Sequence, residues 1–428
     1  MNDRSSIFGM TTVHSFAWLV VGNAVGVLLA LLLVVPSLGT MLGELAWGRW
    51  ASVHLAVQLY GWCSLPMIAL LWRTYLASPR TGRLAPLAID AWSGALAFGA
   101  VSWLLGTNSG KPFLEWSGAS RWFFAAAMWV LAAALAAEFL AERRASAEVT
   151  RSLAWRAKAA VLASLFFVPL VLALSASRSV YPAVNPHSGG ATGWSLLGST
   201  LGMIVIFIAA PVAAGARRTG SGRALAVASI ALALSGAVFA LVSRGDRSNH
   251  EPAQIAALGT LLVWPPLLAW LYRQYEWPAG SKRWLGAFGV WGTLLVATAF
   301  VMFLPGILER SKFTNVLVSH SHVAMGGLVT SFGMLLLTSL DESGRAARAA
   351  GDGVTFWVWQ AALATHVGVL AFAGLHEGAD PGLVFGPSTL IDGVYAIRAL
   401  AGAVMLGVSA VWLARAWCAT GEAVDARA

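Results

Sequence analysis

The chain has 428 residues, 58% of them hydrophobic and only 11% charged. A soluble domain carries about 25% charged residues, so the composition excludes an ordinary soluble globular protein. There are only two cysteines, Cys63 within one apolar run and Cys418 at the end of another, which argues against a disulfide framework or a thiolate metal site.

The opening "MNDRSSIFGMTTVHS" is polar and lacks the apolar core of a cleavable signal peptide. Twelve apolar runs follow, near 15–38, 51–76, 88–106, 121–142, 156–177, 194–216, 223–242, 253–274, 285–306, 316–340, 354–375 and 391–417. Runs of about 20 apolar residues are long enough to cross a bilayer as helices. The spacers are too short to hold a soluble domain. The expected fold is therefore all-α: a polytopic membrane protein in which 1–428 forms a single twelve-helix transmembrane bundle.

The basic residues orient this arrangement. With the N-terminus in the cytoplasm, nineteen of the 28 Lys and Arg fall at cytoplasmic segments and eight at external ones, with Arg398 inside the last span. That bias fits the positive-inside rule with both termini cytoplasmic. It also accounts for the net charge of +9 without nucleic acid, because the basic loops face an anionic inner leaflet.

Three histidines stand out. The second span opens "GRWASVHLAVQLYGW" and carries His54; the tenth opens "VLVSHSHVAMGG" and carries His320 and His322. Both spans run from outside to inside, so all three imidazoles lie in the outer half of the membrane. Ionisable groups at such depth are costly and face a bundle interior or a site. Residues i and i+2 of an α-helix point about 200° apart, so His320 and His322 cannot chelate one ion together but can serve different partners on either side. Neutral imidazole is a good axial ligand of heme iron. Interhelical hydrogen bonding is the structural alternative. Gly326 and Gly327, just beyond, leave room for a flat macrocycle or for close helix packing.

With these segments the chain resembles the catalytic subunit of the heme-copper oxidase superfamily, nearest the C-type (cbb) oxidases and the nitric oxide reductases. "GRWASVHLAVQLYGW" resembles the family's low-spin heme segment and "SHSHVAMGGLVTSFGML" its His-x-His helix. "EPAQIAALGTLLVWPPLLAW" and "YAIRALAGAVMLGVSAVWL" are similar to its eighth and last spans. The resemblance implies that His54 and His322 are the axial ligands of a low-spin heme b, and that His320 is the proximal ligand of a second, high-spin heme b. It also implies heme-propionate partners among Arg398, Arg310 and Lys312, which otherwise read as interfacial charges.

The chain departs from the family at the second metal. Its ligand positions fall on Gly189, Val242 and Ser243, and no tyrosine lies on the seventh span. Without imidazoles there the expectation is no copper. His187, His250 and Glu251 lie in external loops as the remaining candidates for a relocated site, while His14, His366 and His376 read as structural residues at or near span ends.

The expected function is that of a cytochrome b-like subunit in a bacterial-type inner membrane. It passes electrons through a bis-His heme inside a larger respiratory complex, with other subunits such as a c-type cytochrome, and exchanges them with quinol or cytochrome c. The alternative is a heme-based oxidoreductase or gas-binding protein, for nitric oxide or dioxygen, using the high-spin heme on His320. As the topology underlies the shared depth of the histidines, reporter fusions within the loop around Arg143–Arg156 should report a cytoplasmic location; an external location reverses the orientation.

Overall fold

The computed structural model describes residues 3–76, 84–145, 152–180, 196–242, 251–385 and 388–418. In chain order the long helices are α1 (Asp3–Val34), α2 (Trp47–Tyr75), α3 (Leu84–Leu104), α4 (Gly118–Ala145), α5 (Leu153–Ala176), α6 (Leu196–Ala213), α7 (Arg223–Val242), α8 (Pro252–Tyr272), α9 (Lys282–Met302), α10 (Asn315–Leu340), α11 (Gly353–Ala379) and α12 (Thr389–Cys418). Among the described residues no strand forms, only one isolated bridge between Arg218 and Tyr275. Among the described residues eleven helices are long and apolar enough to cross a membrane, so the protein is an all-α, multi-pass helical membrane protein in a lipid bilayer. The expected sixth span, near 194–216, corresponds to the shorter α6.

Two boundary shifts from the sequence reading bear on its histidines. The first helix starts at Asp3 rather than near 15, so His14 lies well inside it. The eleventh runs to Ala379, which brings His376 and Glu377 into the helix. Hydropathy marks where apolar side chains begin, whereas a helix continues as long as its backbone bonds are made.

The chain falls into two compact units. Unit 1 comprises Met1–Ala183, Leu336–Gly353 and Leu406–Ala428, and unit 2 comprises Val184–Leu335 and Val354–Met405. In unit 1, α1 lies close along α2. A Cβ on Gly22 would sit 2.6 Å from the Gln58 amide, and one on Gly26 2.8 Å from the His54 ring. A polar ladder crosses the interior: Gln58 Nε2 donates to Asn23 Oδ1 at 3.1 Å, and Asn23 Nδ2 donates to Ser409 Oγ at 3.1 Å. Trp116 stacks on Phe124 at 4.0 Å between ring centres, with Tyr60, Trp92 and Trp103 packed edge-on around them.

In unit 2 the first part of α10 is held from two sides. Ser319 Oγ donates to Val367 O of α11 at 2.8 Å. At the start of the helix, Asn315 donates through its backbone N and its Nδ2 to the buried Glu377 carboxylate, at 2.7 and 2.6 Å. On the other side Trp291 of α9 lies against Gly327, and its Nε1 donates to Gln360 Oε1 of α11 at 2.7 Å.

α2 and α10 share an irregularity. Each contains a seven-residue π-helical segment, Val57–Cys63 in α2 and Val323–Val329 in α10. A π-turn shifts the hydrogen-bonding partner by one residue and leaves a carbonyl to be satisfied. In α2 Ser64 Oγ donates to Leu59 O, and in α10 Thr330 Oγ1 donates to Met325 O, both at 2.8 Å and five residues back. In α2 the Tyr60 carbonyl also accepts Trp92 Nε1 at 2.7 Å. The fifth residue of each segment is a glycine pressed on a tryptophan: a Cβ on Gly61 would meet Trp18 at 2.6 Å, and one on Gly327 would meet Trp291 at 2.6 Å.

Overpacking of this kind costs about 1–3 kcal/mol. Gly61→Ala and Gly327→Ala should each lower the thermal midpoint of the detergent-solubilised protein by that equivalent. Gly286→Ala, where a Cβ meets nothing within 4 Å, should leave it unchanged or raise it, by up to about 1 kcal/mol, through reduced chain entropy in the unfolded state.

Candidate functional site

Each histidine singled out above makes a hydrogen bond at Nδ1. In unit 1, His54 Nδ1 bonds the Gly22 carbonyl at 2.8 Å. In unit 2, His322 Nδ1 bonds the Val318 carbonyl at 2.8 Å, and His320 Nδ1 bonds Thr298 Oγ1 at 3.1 Å.

For two of the rings the partner fixes the tautomer. A carbonyl only accepts, so Nδ1 of His54 and of His322 carries the proton. In neutral His54 and His322 the lone pair then lies on Nε2, the nitrogen a metal would use, and the backing bond sets ring orientation as in known metal-bound histidines. For His320 the partner does not fix it: the Thr298 hydroxyl lies 2.8 Å from Leu294 O, 3.2 Å from Leu295 O and 3.1 Å from His320 Nδ1, and it can donate to that nitrogen or accept from it. The bond alone does not mark a ligand: His376 makes the same contact to Phe372 O at 2.9 Å on the exposed end of α11.

Sequence register connects the three rings to the π-segments. His54 lies three residues before Val57, and His320 three residues before Val323, so the two occupy equivalent positions in α2 and α10. His322 directly precedes the π-segment of α10. π-turns recur next to functional sites because they re-aim side chains while keeping the helix.

The two α10 imidazoles leave the helix on different sides. The segment Asn315–His322 is regular α-helix, so the 200° offset holds. His320 faces α9 through Thr298 and borders a cavity of about 1200 Å³ in unit 2. His322 faces α11, where its ring lies 4.4 Å from that of His366, tilted by 45°. Placing His366 near a span end was an error: it is buried in the middle of α11. His14 is likewise inside a helix, bonded to Ser93 Oγ at 2.8 Å with Asp90 at 3.7 Å.

The glycines after the histidines serve close packing. Gly326 faces Leu363, 2.8 Å from where a Cβ would be, and Gly327 faces Trp291. Room for a flat ligand comes instead from the cavity beside His320.

The three expected propionate partners differ in surroundings. Arg310 is exposed in the short helix Ile307–Ser311, and Lys312 lies over the Phe313 ring at 5.4 Å. Arg398 is half-buried on α12, and its Nε has no hydrogen-bond partner. It is the one drawn inward, the placement an anionic group would match. Sequence reasoning missed Glu377, whose carboxylate anchors the start of the histidine helix, and Glu115, whose buried carboxyl lies against the Ser52 hydroxyl at the head of α2. The cue for both was an acidic residue at the edge of an apolar run.

At the second-metal positions, Val242 ends α7 and its carbonyl accepts Gln254 Nε2 at 3.0 Å. Gly189, Ser243, His187 and His250 lie outside the described residues, and Glu251 immediately precedes α8. Among the described residues no group of three or more His, Cys, Asp or Glu side chains is arranged to hold a metal ion.

Comparison with known proteins gives no match to any family model or to any curated protein sequence.

Glu115 lies between spans, with Lys111 and Arg178 in the same cluster. Lys111 Nζ donates to the Ser175 and Ser177 carbonyls, and Arg178 Nε to the Ser109 carbonyl. Burial raises the Glu115 carboxyl above the ordinary range, more than the Gly110 backbone, Ser52 and Arg178 lower it. The folded state therefore holds this proton more tightly than the unfolded chain, so its contribution to stability falls as pH rises through the raised value. As pH rises above the ordinary carboxylate range, the thermal midpoint of the wild-type protein should fall relative to Glu115→Gln. Parallel curves would remove Glu115 as the titrating group.

Proposed function

We propose that the protein is a membrane cytochrome b-like subunit of the heme-copper oxidase type, and that it moves electrons through a low-spin heme b with His54 and His322 as axial ligands. What supports this reading is that His54 and His322 each sit within an apolar, membrane-length helix and each bond a backbone carbonyl through Nδ1, which leaves the lone pair on Nε2. A bis-His heme supplies one-electron chemistry without an open coordination position. The residues supply orientation. Gly22 and Val318 hold the rings through fixed backbone carbonyls, so a change of iron charge meets a preset environment. Arg398 provides a cation for an anionic substituent. Placement in a bacterial inner membrane with both termini cytoplasmic, and exchange with quinol or with a cytochrome c in a larger complex, follow from the charge bias and the resemblance.

A second reading rests on the cavity at His320. A high-spin heme b would be held there by His320, and would supply the chemistry for binding a small ligand such as nitric oxide or dioxygen. Thr298 orients the ring in either case. The substitutions at Gly189, Val242 and Ser243 leave the copper route to water without its usual imidazoles, so this reading is of gas binding or a copper-independent oxidoreductase.

Absorbance spectra of the purified protein and its variants separate these readings. His54→Ala and His322→Ala should each remove the low-spin bands and lower thermal stability, because a bound cofactor stabilises the folded state by mass action. His320→Ala should spare those bands and remove only a carbon monoxide-responsive component. The reverse pattern would exchange the roles of His320 and His322, and a heme-free, spectrally silent wild-type protein would overturn both readings.

A further inference from the structure

The cavity beside His320 extends well beyond what that histidine can use. It lies wholly within unit 2, between α6, α8, α9 and α10, and follows α9 from Lys282 to Phe303. Thr298, which bonds His320, is sixteen residues along α9 from Lys282. At 1.5 Å per residue that is about 24 Å, most of the ~30 Å hydrocarbon thickness of a bilayer. Between these ends the wall is apolar, formed by residues such as Phe207, Trp264, Leu268, Phe288 and Leu295. Gly286 and Gly289 open it further, since a Cβ on either would meet nothing within 4 Å.

The end away from His320 is cationic. Arg273 and Lys282 both line the cavity and are both exposed. Among the described residues the Arg273 side chain makes no hydrogen bond or ion pair. Lys282 feels Glu276, but that carboxylate is already gripped by Arg217 at 2.6 and 2.8 Å. Two uncommitted cations at the mouth of a long apolar slot match a ligand with a negative head and a hydrocarbon tail. A free anion would leave the apolar wall uncovered, and a neutral-headed lipid would leave the cations unmatched. The charge bias also puts this end at the inner leaflet, where anionic lipids concentrate.

We propose that unit 2 holds an anionic phospholipid, with its phosphate on Arg273 and Lys282 and one acyl chain lying along α9 toward His320. The site depends on membrane insertion and not on any heme. A chain lying there would also control how apolar molecules reach His320 from the bilayer.

The test is native mass spectrometry of the purified full chain in detergent, with phosphatidylglycerol and phosphatidylcholine of identical acyl chains, and with heme content recorded by absorbance in the same samples. Wild-type protein should retain phosphatidylglycerol about 30-fold better, the ratio expected for two cations near the membrane surface. Arg273→Gln with Lys282→Gln should bring the ratio close to one, at unchanged thermal midpoint because both side chains are exposed. Gly289→Leu, which fills the slot, should weaken retention of both lipids alike. Millimolar inorganic phosphate should displace neither. Equal retention of the two lipids by the wild type, a preference that survives in the double variant, no effect of Gly289→Leu, or displacement by phosphate would each overturn the proposal. These outcomes hold whatever the heme content, so failure of the lipid site and failure of the heme reading are told apart.

Discussion

Inside a bilayer no water is available to satisfy a backbone N–H or C=O, and each one left unpaired costs several kcal/mol. That requirement explains why the described chain is helix after helix, and it makes each departure from the α-helical ladder informative. The π-segments of α2 and α10 are two such departures. In both, the backbone is repaired by a hydroxyl five residues downstream, Ser64 to Leu59 and Thr330 to Met325. The repair costs no additional chain because serine and threonine carry their donor on a short stem that reaches back along the helix.

The same local design appears twice, once in each unit. A histidine stands three residues before the π-segment, a glycine sits at its fifth position against a tryptophan of the preceding long helix in sequence, Trp18 or Trp291, and a hydroxyl closes it. The glycine is required because the tryptophan occupies the space of a Cβ. The tryptophan in turn is anchored by its indole N–H, Trp18 to Ser93 Oγ and Trp291 to Gln360 Oε1. The result is a rigid seat from which the imidazole projects at a set angle. An intramembrane histidine can be held this firmly only when its neighbours on the adjacent helix are equally fixed, and here each link of that chain is a bond to a named group.

Much of this was legible in the sequence, for reasons that differ from part to part. Span positions were legible because apolar run length is a one-dimensional property. The divergence of His320 from His322 was legible because the α-helix stays regular through His322, so a fixed angle per residue applies. The π-segments were not legible: "VQLYGWC" and "VAMGGLV" share in register only their first valine and fifth-position glycine, and the signal lies in a five-residue hydroxyl-to-carbonyl bond that only folding makes. His366 was misplaced because its neighbour is His322 on another helix, a contact separated by 44 residues in sequence. Glu377 was missed because α11 continues past the last apolar residue used to end it.

The contrast between the two α10 imidazoles links these observations. His322 sees a packed surface, with His366 against its ring and Gly326 drawn in on Leu363 nearby. His320 sees open space on one side and a single hydroxyl on the other. A side chain beside an unfilled apolar volume loses dispersion contacts that packed neighbours would give, so a protein that needed His320 only for helix packing would gain by closing the space around it. Instead Thr298 holds the ring by one hydrogen bond at Nδ1 and does not cover its far edge. The arrangement keeps one imidazole oriented toward a volume that other molecules can enter, while the other, two residues away on the same helix, lies against His366 of α11.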